Sequence, residues 1–246
     1  MAYKAIKLDN KQIGSAEYFN RIWEDACKIH DKDGNKKLEV TADTIYYIWN
    51  LPVYITCPYA TENCKKACYA EEPEKNYCMS AVLKARYENL ALCTGDNAET
   101  FVFVMIGRLE KLFNSKKYKA RKNIRVRIHE SGDFFSKQYA MQWLEIAVYF
   151  NKPEYNNVVF MAYTKSLPFF DGVTLPENFV LRASIWDDTP EEMLEIAKRN
   201  NFPIYTALPE NMTEYALENG FIECTCENCS TCEKALFHER KQKYFC

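Results

Sequence analysis

Apolar side chains recur at helical spacing over residues 15–30, through Ile22, Trp23, Ala26 and Ile29 behind a Ser15 cap, which predicts a first helix ending near His30. The Asp31-Lys32-Asp33-Gly34-Asn35 stretch that follows has Lys36 at the position where a calcium loop needs glycine, so it reads as a turn. Two pieces rich in β-branched and aromatic residues come next, Thr44–Trp49 and Val53–Thr56, separated by Leu51-Pro52. The second reads as a short strand that ends at Cys57. Residues 73–93 and 98–114 carry helical periodicity, the latter through Ile106, Leu109, Leu112 and Phe113.

From there the pattern alternates. Strands are predicted at Ile124–Glu130, Val158–Thr164, Phe179–Ile185 and Ile204–Ala207, and helices at Lys137–Phe150, Pro190–Asn200 and Thr213–Asn219. Strands separated by helices of this length imply right-handed crossovers and an α/β fold with a mainly parallel sheet, either open or partly closed into a barrel. Residues 1–222 form that domain, and residues 223–246 read as a Cys-rich, metal-stapled tail packed on it.

Composition changes this picture in one respect. Hydrophobic residues at 48% and charged residues at 27% are those of a folded domain, and a formal net charge of −2 provides no bulk field toward nucleic acid or an anionic membrane. Met1 is followed by a mixed, charged start with no apolar signal core, and no apolar run approaches the length of a membrane span, so a cytoplasmic protein is expected. Eleven cysteines in such a chain point to metal or redox chemistry, because a reducing compartment disfavours stable disulfides. Cys27, Cys78 and Cys93 are scattered in helical sequence and read as packing thiols, while His30 and His238 read as solvated.

The chemistry concentrates in two places. Cys57, Cys64 and Cys68 lie within twelve residues, separated by six and three, at the exit of a predicted strand. Three thiolates from one loop can hold three irons of a [4Fe–4S] cluster and leave the fourth open for a ligand. The competing reading is a zinc staple completed by a tail cysteine. In the tail, Cys224, Cys226, Cys229 and Cys232 place four thiols in nine residues, beside charged and amide side chains that do not suit apolar packing. They read as metal ligands, with zinc as the alternative to a cluster; spacing leaves open whether they form their own site or lend a thiol to the first loop.

Along the strand Arg125-Val126-Arg127-Ile128-His129-Glu130, alternation puts Arg125, Arg127 and His129 on one face, and Arg182 and Ser184 share a face in the strand beginning at Phe179. Buried cations need anionic partners, which makes this face a ligand-site candidate. Ser131-Gly132-Asp133, Tyr163-Thr164-Lys165-Ser166 and Trp186-Asp187-Asp188 follow strand ends, where parallel sheets place their ligands. His129, Asp133 and Lys165 are the candidates for catalysis, and Arg127, Glu130, Ser131, Tyr163, Arg182 and Ser184 for binding a cofactor.

The segments Thr56-Cys57-Pro58, Ala60-Thr61, Cys64 and Cys68-Tyr69-Ala70, then Arg127 to Phe134, then Tyr163-Thr164-Lys165-Ser166, resemble the phage family known as gene product 88 over roughly residues 50–235. More distantly, a three-cysteine loop after a strand is similar to the radical S-adenosylmethionine superfamily, whose usual gaps are three and two residues. That resemblance implies a partial or modified TIM-like barrel in which Cys57, Cys64 and Cys68 hold a cluster whose open iron binds S-adenosylmethionine. The expected function is thus that of a phage-type iron–sulfur protein acting on a small anionic ligand. The alternative is a non-catalytic protein, stabilised by a cluster or zinc, that interacts with a host protein in the host cytoplasm.

Overall fold

A computed structural model describes residues 32–33, 43–75, 80–208, 222–223 and 236–239. Its sheet has eight strands in the order β1-β2-β3-β4-β5-β6-β8-β7: β1 (Lys32–Asp33), β2 (Thr44–Trp49), β3 (Asn123–Ile128), β4 (Val158–Thr164), β5 (Phe179–Ser184), β6 (Ile204–Leu208), β7 (Ile222–Glu223) and β8 (Leu236–Glu239). Strands β2 to β6 are parallel and neighbour one another in chain order, and among the described strands only β1 runs antiparallel, against β2. No pairing joins β1 to β7 among the described residues, which show an open sheet and no closed barrel. The helices are α1 (Glu62–Lys66), α2 (Glu71–Lys75), α3 (Ser80–Leu92), α4 (Phe101–Phe113), α5 (Lys116–Lys119), α6 (Lys137–Tyr149) and α7 (Glu191–Arg199). The β4–β5 crossover has no α-helix, only a 3₁₀ turn at Leu167–Phe169.

Helix α4 buries Phe101, Val104, Met105, Leu109 and Phe113, one face of a 3.6-residue period, and α6 buries Tyr139, Ala140, Trp143, Leu144, Ile146 and Ala147 in the same way. Ser136 caps α6 by accepting a hydrogen bond from the Tyr139 amide at 3.2 Å. These helices cover the sheet face made by Tyr47, Val126, Phe160 and Phe179 in one register row and Trp49, Ile128, Ala162 and Leu181 in the next. The opposite face carries Tyr46, Arg125, Arg127, Tyr163, Arg182 and Ser184, so the two faces differ as strand alternation requires.

Two expectations are corrected. Val53–Thr56 is a turn and not a strand: Tyr54 has φ of +64°, and the Thr56 hydroxyl donates to the Pro52 carbonyl at 2.5 Å, closing the chain on itself. Leu51 and Val53 are apolar because the loop packs inward, not because they pair in a sheet. Lys32–Asp33, read as part of a turn, pairs with Tyr47 and Ile48 as the edge strand. The helices read at 15–30 and 213–219, and the tail ligands Cys224, Cys226, Cys229 and Cys232, lie outside the described residues, as do Cys27 and Cys78. Cys93 is buried, its sulfur beside the Asn89 and Leu90 carbonyls, as expected of a packing thiol. No helix among the described residues is long and apolar enough to cross a membrane.

Candidate functional site

Each parallel strand delivers its C-terminal end to one rim, and the loops leaving β2, β3 and β4 are tied together there. After β2, Asn50 accepts hydrogen bonds from the Glu130 and Ser131 amides at 2.9 and 3.0 Å and donates to the Glu130 carboxylate. The Ser131 hydroxyl donates to the Leu51 carbonyl at 2.7 Å. Gly132 has φ of +81°, and a Cβ built on it would lie 2.6 Å from Thr56 Oγ1 and 2.7 Å from Leu51 Cβ, so the β3 loop touches the turn that carries Cys57.

Asp133 fastens the next pair of loops. It is buried, its Oδ1 accepts from Thr164 Oγ1 at 2.5 Å and from the Phe134 amide at 2.7 Å, and its Oδ2 accepts from the Lys165 amide at 2.9 Å. Burial pushes its pKa up against the pull of these donors. With three acceptor positions filled by neighbours, Asp133 sets the position of Lys165.

The cysteine loop is held from both sides. Thr61 caps α1 by accepting from the Cys64 amide, and Asp188 and Asp187 reach across from the β5 exit to accept from the Asn63 amide at 2.7 Å and from its side chain at 3.1 Å. Arg86 donates to the Ala70 carbonyl and to Glu74 at 2.7 Å each, and Glu74 accepts from the Val53 amide, a buried clamp across the loop.

These ties enclose a cavity of about 160 Å³ lined by all three loop thiols, Cys57, Cys64 and Cys68. Arg127, His129, Glu130, Asp133, Tyr163, Lys165 and Ser184, all singled out from sequence, line it too. Ser131 and Arg182 are buried but do not: Ser131 serves the loop, and Arg182 lies in register with Tyr163. Sequence reading marked Trp186 by its strand-end position but did not select Tyr69 or Tyr205, which line the cavity as well. Burial raises all three thiol pKa values, that of Cys57 to about 12, where Asp133 adds to the effect, so without a metal the sulfurs keep their protons.

The cavity's lining residues also include buried nitrogens without a partner among the described residues. Arg127 is 6% exposed, its guanidinium lies 4.1 Å from the Tyr163 ring centre, and its Nη1 has no hydrogen-bond partner among the described residues. His129 leaves the strand with φ of +62°, so alternation stops one residue short of it. Its ring packs edge-on to Phe134 and places Nε2 3.0 Å from the Tyr139 hydroxyl. That hydroxyl also accepts from Trp49 Nε1 at 2.9 Å, and the other ring nitrogen of His129, Nδ1, is buried with no partner among the described residues. Burial first, and Arg127 second, lower the His129 pKa to about 3. Lys165 Nζ donates to the Ser184 carbonyl and hydroxyl at 3.1 and 2.9 Å and lies 4.7 Å over the Trp186 ring; burial lowers its pKa to about 8.

Among the described residues no three His, Cys, Asp or Glu side chains converge on a single point as ligands of one ion would. The family model described as Gene product 88 matches residues 27–243. A curated relative, the Gene 88 protein of Mycobacterium phage D29, is 34% identical over 111 residues, which are 45% of this chain and 42% of that protein, so the match spans less than half of the relative. No solved structure matches the chain.

Proposed function

The chain belongs to the gene product 88 family of phage proteins, and from that premise we propose that it is an iron–sulfur protein whose Cys57, Cys64 and Cys68 hold a cluster against a pocket for a small anionic ligand. The observation that supports this reading is that three cysteines of one loop line a single cavity. A single zinc ion needs its donors on one tetrahedron. A cubane takes each thiolate on a different iron, so its ligands stand around it.

The rest of the lining suits such a guest. Arg127 Nη1 and His129 Nδ1 are buried with no partner among the described residues, and sulfide or thiolate sulfur would accept from the guanidinium. Tyr54 and His129, two of three described non-glycine residues at positive φ, flank the thiols: the Tyr54 carbonyl accepts from the Cys57 amide at 3.0 Å. Strained backbone of this kind concentrates at functional sites. A bound cluster supplies an electron or a Lewis-acidic iron at its open corner. The chain's own part is to hold the loop through Asn63, Asp187 and Asp188, to present the Lys165 ammonium at the ligand's side, and to screen the site with Tyr163, Trp186 and Tyr205. The sequential parallel order of β2 to β6 is that of a partial barrel, which accords with the more distant likeness to radical enzymes. The reading stands without S-adenosylmethionine.

The test is ligand substitution on anaerobically prepared protein. Cys57→Ser, Cys64→Ser or Cys68→Ser should each remove the brown colour and the bound iron, whereas Cys93→Ser should leave both. Iron retained in the three loop variants would refute the ligand assignment.

A further inference from the structure

A second, larger chamber of about 450 Å³ adjoins the thiol cavity, and Ala60, Lys165 and Ser184 line both. Its walls are mainly apolar, from Tyr59, Leu167, Ile185, Pro190 and Met193. Two polar groups in it have bonding capacity to spare. Lys165 is 7% exposed and spends two of its three ammonium protons on Ser184, and among the described residues no carboxylate lies within ion-pair distance of it. Asp188 spends Oδ2 on the Asn63 amide, while its Oδ1 is buried with no donor among the described residues.

An occupant that met only the ammonium would leave a buried carboxylate oxygen without a donor, at a cost comparable to a lost charged hydrogen bond. An occupant that met only Asp188 would leave the lysine's third proton unused. A purely apolar one would bury both unsatisfied. We infer that this chamber binds a free amino acid or a close analogue, its carboxylate on Lys165, its ammonium on Asp188 and an apolar side chain against Leu167, Ile185 and Met193. The volume is within the range of small-molecule pockets. Because Lys165 stands in the wall between the two cavities, the carboxylate end lies nearest the thiols. That this makes the molecule a substrate rests on the proposed cluster; that it binds does not.

Trp186, beneath Lys165, reports occupancy through its fluorescence, and calorimetry gives the affinity independently. Full-length protein prepared without air is titrated with L-leucine, L-methionine and L-phenylalanine, and the tightest of these is compared with its N-acetyl form and with its decarboxylated amine. The amino acid is expected to bind about 10- to 100-fold more tightly than either derivative, the loss set by one charge-assisted hydrogen bond. Lys165→Met should weaken the amino acid and leave the amine unchanged, and Asp188→Asn should weaken the amino acid and leave the N-acetyl form unchanged. If none of the three amino acids binds at millimolar concentration, or if the derivatives bind as well as the parent, the inference is overturned. Iron and sulfide measured on the same samples separate the two claims: an amino-acid binder without a cluster sinks the proposed function alone, and a brown protein that ignores amino acids sinks this inference alone.

Discussion

Replacing Gly132 with alanine tests how tightly the β3 loop is wedged against the cysteine turn, and Gly172 provides a matched control. Both glycines have positive φ, +81° and +70°, so alanine at either carries the left-handed backbone cost of about 1–2 kcal/mol. At Gly172 a Cβ meets nothing within 4 Å, so that cost is the whole effect. At Gly132 the Cβ lies 2.6 Å from Thr56 Oγ1, 2.7 Å from Leu51 Cβ and 3.1 Å from the Leu51 carbonyl. Thr56 is held by its own bond to Pro52, and Leu51 is fully buried, so neither can step aside freely. Overpacking adds about 1–3 kcal/mol, which puts Gly132→Ala at about 2–5 kcal/mol. Urea unfolding of the two variants beside the parent measures both, and the strain in Gly132→Ala should also lower iron uptake because Cys57 follows Thr56 in the chain. Equal losses for the two variants, or full iron uptake in an unstable Gly132→Ala, would show that the loop contact does not govern the turn.

Arg86→Ala should cost about 3–5 kcal/mol in the same assay, since it leaves the half-buried Glu74 carboxylate without its cation and the Ala70 carbonyl without its donor. Ser136→Ala should cost about 1 kcal/mol by uncapping α6, without altering iron content. His129, held neutral with a pKa near 3 against 6.5 in the unfolded chain, makes the unfolded state take the proton first as pH falls. Its contribution is therefore present above pH 6.5 and lost as pH drops toward 3, with a slope of up to about 1.4 kcal/mol per pH unit. Unfolding of the metal-free protein across this range should show that slope, and His129→Gln should lack it.

What the sequence disclosed followed from periodicity. Helix α6 and strands β3 to β6 lie within a residue or two of expectation, and α4 starts three residues later than expected, because each buries a face whose apolar spacing is regular. The Leu51–Thr56 segment misled because Leu51 and Val53 are buried by a turn, and a turn built on a left-handed Tyr54 and a Thr56 side-chain bond leaves no periodic trace. Strand ends named most of the thiol cavity's lining, since parallel strands bring their C-terminal residues to one rim. Alternation failed at His129, where positive φ redirects the ring toward Tyr139, and it had no means of showing that the acceptors of Asp133 are taken by Thr164 and Lys165. Asn50, which ties the β2 and β3 loops, carried no signal because a lone asparagine after a strand is usual in any turn.

The most direct test of the central claim is the iron and acid-labile sulfide content of the full-length protein purified without oxygen, read together with its visible absorption. The account predicts both elements in equal amounts, a broad charge-transfer absorption, and the loss of all of these when Cys57, Cys64 and Cys68 are replaced together by serine. A colourless protein that carries zinc at the loop thiols, or one whose iron and sulfide survive that triple replacement, would contradict it.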